Sequence, residues 1–84
     1  MKKNANRTLT LDQPVIYQIK VPGELDDTWL VWAGDMKLAI EGDDDGQPVT
    51  TLTGNLDQAA LLGLLRRLYS LGLPLISVIY REEE

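Results

Sequence analysis

The sequence predicts an α+β fold: a four-stranded antiparallel sheet carrying one short helix and one long amphipathic helix. Three observations predict it. Residues 15–21 alternate apolar and polar in period two, with β-favouring side chains. Leu61, Leu64, Leu65, Leu68 and Leu71 repeat at spacings of three and four, the mark of an amphipathic helix. Clusters rich in Gly, Pro and Asp fall between the periodic segments and read as turns. The resulting order is strand, short helix, strand, strand, helix, strand. Two split β-α-β units of this kind favour a ferredoxin-like β-α-β-β-α-β sandwich, with both helices on one face of the sheet.

Residues 1–12 lack periodicity and read as a flexible N-terminal arm. The single α+β domain then runs over residues 13–81, and Glu82 to Glu84 form a short acidic tail. The first strand, Val15 to Val21, points Val15, Tyr17, Ile19 and Val21 to one face and Ile16, Gln18 and Lys20 to the other. Pro22-Gly23 ends it. Asp26 or Asp27 can cap a short helix holding Trp29, Leu30, Trp32 and Ala33, which Gly34 stops. At about two turns, that helix depends on packing of its tryptophans.

Met36 to Glu41 reads as the second strand, with Met36, Leu38 and Ile40 inward. Gly42-Asp43-Asp44-Asp45-Gly46 is the acidic turn of a hairpin whose third strand is Pro48 to Gly54. The long helix runs from Asp57 to Leu71, capped by Asn55 or Asp57 and ended by Gly72 and Pro74. The last strand, Leu75 to Arg81, is apolar on both faces, as a strand covered on both sides is. In the ferredoxin-like order the first and third strands are central and the last lies at an edge beside the first. An edge strand with two apolar faces calls for a cover, either the arm or a second copy of the chain.

Composition excludes much chemistry. The 84 residues contain no cysteine and no histidine. Disulfide scaffolds, thiolate metal sites and thiol nucleophiles are therefore out, along with the commonest general base and zinc ligand. A reducing, cytoplasmic location is the matching expectation. Net charge is −5, and from Thr8 onward five cations face all thirteen carboxylates, a balance of −8. Such an acidic body disfavours nucleic acid and anionic membranes as partners. Asn4 to Thr8 interrupts any apolar run after Lys2 and Lys3, so no signal peptide is expected, and Arg66 and Arg67 interrupt the leucine-rich stretch against a membrane span.

The remaining motifs weigh toward structure. Glu41-x-Asp43-x-Asp45-Gly46 imitates the start of a calcium loop, but Leu52 stands where the bidentate glutamate belongs. Asp26 and Asp27 are neighbours whose side chains diverge, which suits a cap better than acid–base work. Trp29 and Trp32 share a helical face, which reads as core before stacking platform. Arg66-Arg67 late in a helix complements its dipole. No catalytic residue, cofactor site or metal site is expected.

One feature is in excess of what the fold needs. Leu62, Arg66 and Tyr69 lie at i, i+4 and i+7, roughly 100° around the helix from the leucine stripe. Two apolar residues beside an arginine make a favoured interface composition, and these three are the candidate partner surface. The uncovered sheet face, showing Ile16, Gln18 and Lys20, is a second place for a partner or another copy. The expected function is a non-enzymatic protein-interaction or regulatory module. The alternative is a small-molecule-sensing or enzyme-accessory domain that works as a homodimer.

The stretch from Thr51 to Val78 also resembles a family of small uncharacterised bacterial proteins. The shared pattern is Leu-Thr-Gly, Asp-Gln-Ala-Ala-Leu, Gly-Leu-Leu, Leu-Gly-Leu-Pro-Leu and Ser-Val, and the pair Trp29 and Trp32 fits it too. The resemblance implies no activity, cofactor or functional residue. Leu62 and Tyr69 stand where that family has more polar residues, which implies a solvent-facing position.

Overall fold

The computed structural model describes residues 9–25 and 36–81. Strand β1 spans Val15–Pro22, β2 spans Lys37–Gly42, β3 spans Pro48–Leu56 and β4 spans Ser77–Arg81. Helix α1 spans Gln58–Ser70. The strands form one sheet in the order β2-β3-β1-β4, and every neighbouring pair is antiparallel. The two inner strands are the expected ones, and β4 lies at the edge beside β1.

Register fixes which side chains share a face. Ile19 stands opposite Leu52, and Leu52 opposite Leu38 on the other side. One row on, Val21 meets Thr50, and Tyr17 meets Gly54 and Tyr80. The buried cluster is built on these rows: Tyr17, Ile19, Val21, Met36 and Leu52 from the sheet side, and Leu61, Leu64 and Leu68 from the helix. Ile19, Leu52 and Leu68 are inaccessible to solvent. Tyr17 and Tyr80 close one end, with ring centroids 6.3 Å apart at 54°.

The helix ends follow from local chemistry. Asp57 is the N-cap, its Oδ1 accepting from the Ala60 N–H at 2.8 Å. The Leu11 carbonyl accepts from the Gln58 N–H at 3.0 Å, so a residue ahead of β1 satisfies another free donor of the first turn. At the far end Leu73 N–H donates to the Leu68 carbonyl and Gly72 N–H to the Tyr69 carbonyl. That pair of bonds is a Schellman ending, and it requires the positive φ of +79° that Gly72 supplies. Gly54 has a different role. A Cβ there would stand 2.5 Å from Met36 Cγ, so its bareness lets Met36 pack over the sheet.

Several expectations need correction. The described residues hold one helix and not two. The segment expected to form the first helix, with Asp26, Asp27, Trp29, Leu30, Trp32 and Ala33, lies outside them. What the structure displays is thus an α+β arrangement of a four-stranded antiparallel sheet and one helix, not the full ferredoxin-like β-α-β-β-α-β order. Leu71 is not part of the buried stripe. It is the C-cap and is exposed, because the chain turns away there into Gly72. Ile40 is exposed as well, since it sits on edge strand β2 at the end of the row that Thr50 and Val21 fill. The last strand begins at Ser77 rather than Leu75, and of its apolar residues only Tyr80 is half-buried against the core. Val78 and Ile79 are exposed on an edge strand with one neighbour, and Leu75 and Ile76 are exposed in the segment that leads into it.

Two substitutions test this core. Leu64→Ala, at 1% exposure, is expected to cost about 2–5 kcal/mol. Asp57→Ala removes one cap bond and is expected to cost about 1 kcal/mol. Urea unfolding followed by circular dichroism reads both, and equal losses would contradict the assignment of Leu64 to the core.

Candidate functional site

Helix α1 turns its leucine stripe onto the sheet and carries a second row of residues with no role in that packing. Leu62, Arg66 and Tyr69 are all exposed, Tyr69 at 83% and Leu62 at 45%. Their spacing keeps them on one flank of the helix, so the structure brings the three sequence-identified residues together as one surface. Among the described residues nothing covers them.

The topology says where that flank looks. β3 and β4 run in the same direction, both antiparallel to the β1 that lies between them. A helical connection between parallel strands is right-handed. In that hand, the side of α1 a quarter turn ahead of its buried stripe overlooks the β4 edge. The flank of Leu62, Arg66 and Tyr69 therefore faces the β4 side of the sheet. Sequence reasoning found the flank but not its continuation. The signal for the rest was present, because residues 68–80 contain no charge at all.

The two edges of the sheet differ. β2 carries Lys37 and Glu41 and leads into the acidic turn, charges that discourage pairing with another strand. β4 carries no charge before Arg81, exposes Val78 and Ile79 on its two faces, and follows the exposed Leu75 and Ile76. An edge of that composition is a template for strand addition.

The sheet face away from the helix is polar. Register places Gln18, Lys20, Thr51, Thr53, Lys37, Ser77 and Arg81 on it, with Ile16 and Ile79. Three of the five cations after Thr8 stand here, against the single carboxylate of Glu41. Lys20 Nζ lies 3.7 Å from Glu41 Oε1, diagonally across β3. Beside it, the buried Thr51 hydroxyl has no hydrogen-bond partner among the described residues.

The other candidates are accounted for locally. Asp43 Oδ1 accepts from the N–H groups of Asp45 at 2.8 Å and Gln47 at 2.9 Å, so this carboxylate organises its own turn. No three acidic side chains gather among the described residues in a way that could hold a metal ion. No helix among them is long and apolar enough to cross a membrane. Asp26, Asp27, Trp29 and Trp32 lie outside the described residues, and Arg67 points to the opposite flank of α1 from Tyr69.

Residues 16–79 match the model of a domain of unknown function, DUF8691. The chain belongs to that family. The match takes in β2, β3 and α1 whole and all but the outer ends of β1 and β4, and the family carries no assigned activity. No curated protein and no solved structure matches the chain.

If the flank takes no part in the fold, truncating it leaves stability alone. Leu62→Ala and Tyr69→Ala are each expected to change the unfolding free energy of the single chain, read at a dilution where no second copy is bound, by no more than about 0.5 kcal/mol. A loss of about 2 kcal/mol or more for either variant in urea titration would place that side chain in a packed interior instead.

Proposed function

We propose that this domain is a non-enzymatic protein-interaction module, and that the flank of Leu62, Arg66 and Tyr69 with the β4 edge is its working surface. One observation carries the reading: a tyrosine at 83% exposure and a leucine at 45% flank an arginine on a helix whose core-facing stripe is already complete. An exposed tyrosine loses solvent at little cost in conformational freedom, and tyrosine and arginine are both typical interface anchors. The chemistry of the chain supports the same reading, since it offers neither histidine nor cysteine.

A second reading, a small-molecule-sensing or enzyme-accessory domain, is favoured by the polar sheet face. Lys20, Lys37 and Arg81 give that face a positive excess in an acidic chain, and the unpartnered Thr51 hydroxyl lies among them. Its ligand would be a small anion. We further infer that the sheet is that of a ferredoxin-like sandwich. The strand order supports that inference, because β1 and β3 are internal and β4 is beside β1.

The test of the leading reading is affinity capture of the tagged full chain from its native lysate, in parallel with Leu62→Asp/Tyr69→Asp. A stoichiometric partner retained by the native chain and lost from the double variant is the expected result. A folded double variant that keeps every partner would remove the flank from the interaction.

A further inference from the structure

Resting on the interaction reading, we propose that the surface formed by the β4 edge and the α1 flank pairs with a second copy of this chain. The two sheets would join through antiparallel β4–β4 contact into one eight-stranded sheet.

The geometry of the edge selects that occupant. A two-fold axis perpendicular to the sheet sets two β4 strands antiparallel and leaves both helices on the same side. The flanks of the two helices then oppose each other in reversed direction. Leu62 of one copy faces Tyr69 of the other, and the two Arg66 residues lie near the axis with the Tyr69 rings beside them to stack on. An axis parallel to the strands would put the helices on opposite faces and leave both flanks bare. Only the first arrangement covers flank and edge together.

The charge pattern agrees. Two chains of net charge −5 repel, so a stable pairing must meet where carboxylates are missing. Residues 58–81 contain no aspartate or glutamate, and their only charges are Arg66, Arg67 and Arg81. The opposite edge is ringed by Glu41, Asp43, Asp44 and Asp45. Area agrees as well. At their observed exposures Leu62, Tyr69, Ile76 and Val78 leave on the order of 400 Å² of surface open on the helix side of the sheet, large for a monomer. Two such patches meeting cover up to about 800 Å², and the paired β4 backbone carries the contact toward the roughly 1,000 Å² of a specific interface.

The chain contains no cysteine, which makes the test direct. A residue on the two-fold axis meets its own copy at a separation that a disulfide spans. Full-length Val78→Cys, Ile79→Cys and the opposite-edge control Ile40→Cys are oxidised under dilute conditions, and the native chain is weighed by light scattering. The expected result is a native mass twice the 9.4 kDa of one chain. Val78→Cys or Ile79→Cys should crosslink on the order of tenfold more than Ile40→Cys, because pairing raises the effective concentration of the facing thiols. Tyr69→Asp should remain folded by circular dichroism and weigh as a monomer.

A native chain that is monomeric at about 100 μM, with no excess of crosslink over the control, overturns the proposal. If that monomer still captures a partner through Leu62 and Tyr69, the interaction reading stands and only self-pairing fails. A chain that dimerises only after residues 1–8 are deleted also overturns it, and makes the arm the occupant of the edge. A dimer that crosslinks equally through Ile40→Cys overturns it too.

Discussion

Ile19 and Leu52 face each other across the two inner strands, and solvent reaches neither. Everything else in the fold is arranged around that pair. Because side chains alternate along a strand, this one contact assigns every residue of β1 and β3 to a face. A slip of one residue would turn Ile19 outward and bring Lys20 under the leucine stripe of α1. The hydrophobic effect therefore sets the register, and the register sets where α1 must lie.

Once α1 lies over the centre, both edges of the sheet are left to their own sequences. β2 meets solvent with Lys37 and Glu41, and its hairpin turn is held by Asp43 bonds to two backbone amides. β4 meets solvent with Val78 and Ile79. Natural sheets protect their edges with charge, bulges or cover, and β4 has no charge between Ser77 and Tyr80. The difference is a property of composition and does not come from the backbone, since both strands pair with one neighbour only.

Most of the scaffold was legible in the sequence because its determinants are local. Period two along Val15 to Val21, the three-and-four spacing of Leu61, Leu64 and Leu68, the Asp57 cap and the Gly72 ending each lie within a few residues of the structure they specify. The exposures of Ile40, Leu71, Leu75 and Ile76 were not legible. An apolar side chain signals a preference for burial, while burial itself depends on a neighbour supplied by another part of the chain. The same limit applied to the site. The flank of Leu62, Arg66 and Tyr69 followed from helical spacing. Its continuity with the β4 edge does not follow from helical spacing, since it depends on β3 and β4 running in the same direction, as the pairing of both with β1 shows.

That continuity changes how the excess apolar residues are understood. Taken separately, Tyr69 is one exposed ring on a helix and Val78 one exposed side chain on a strand, and single exposed apolar residues are ordinary. Handedness joins them. A right-handed β3–α1–β4 connection brings the far flank of the helix over the strand it leads into. The same connection turns the opposite flank, with Arg67 and Leu71, away from β4. Selection acting on β4 for pairing would therefore act on Leu62 and Tyr69 as well, since a cover for one reaches the other. A polar residue at either helix position would leave the fold intact, as their exposure requires, and in the proposed pairing would bring water to the second copy's edge. Among the described residues, nothing within one copy packs against either side chain. In the proposed pairing their apolar character belongs to one surface that spans two layers of the domain, helix flank above and strand edge below.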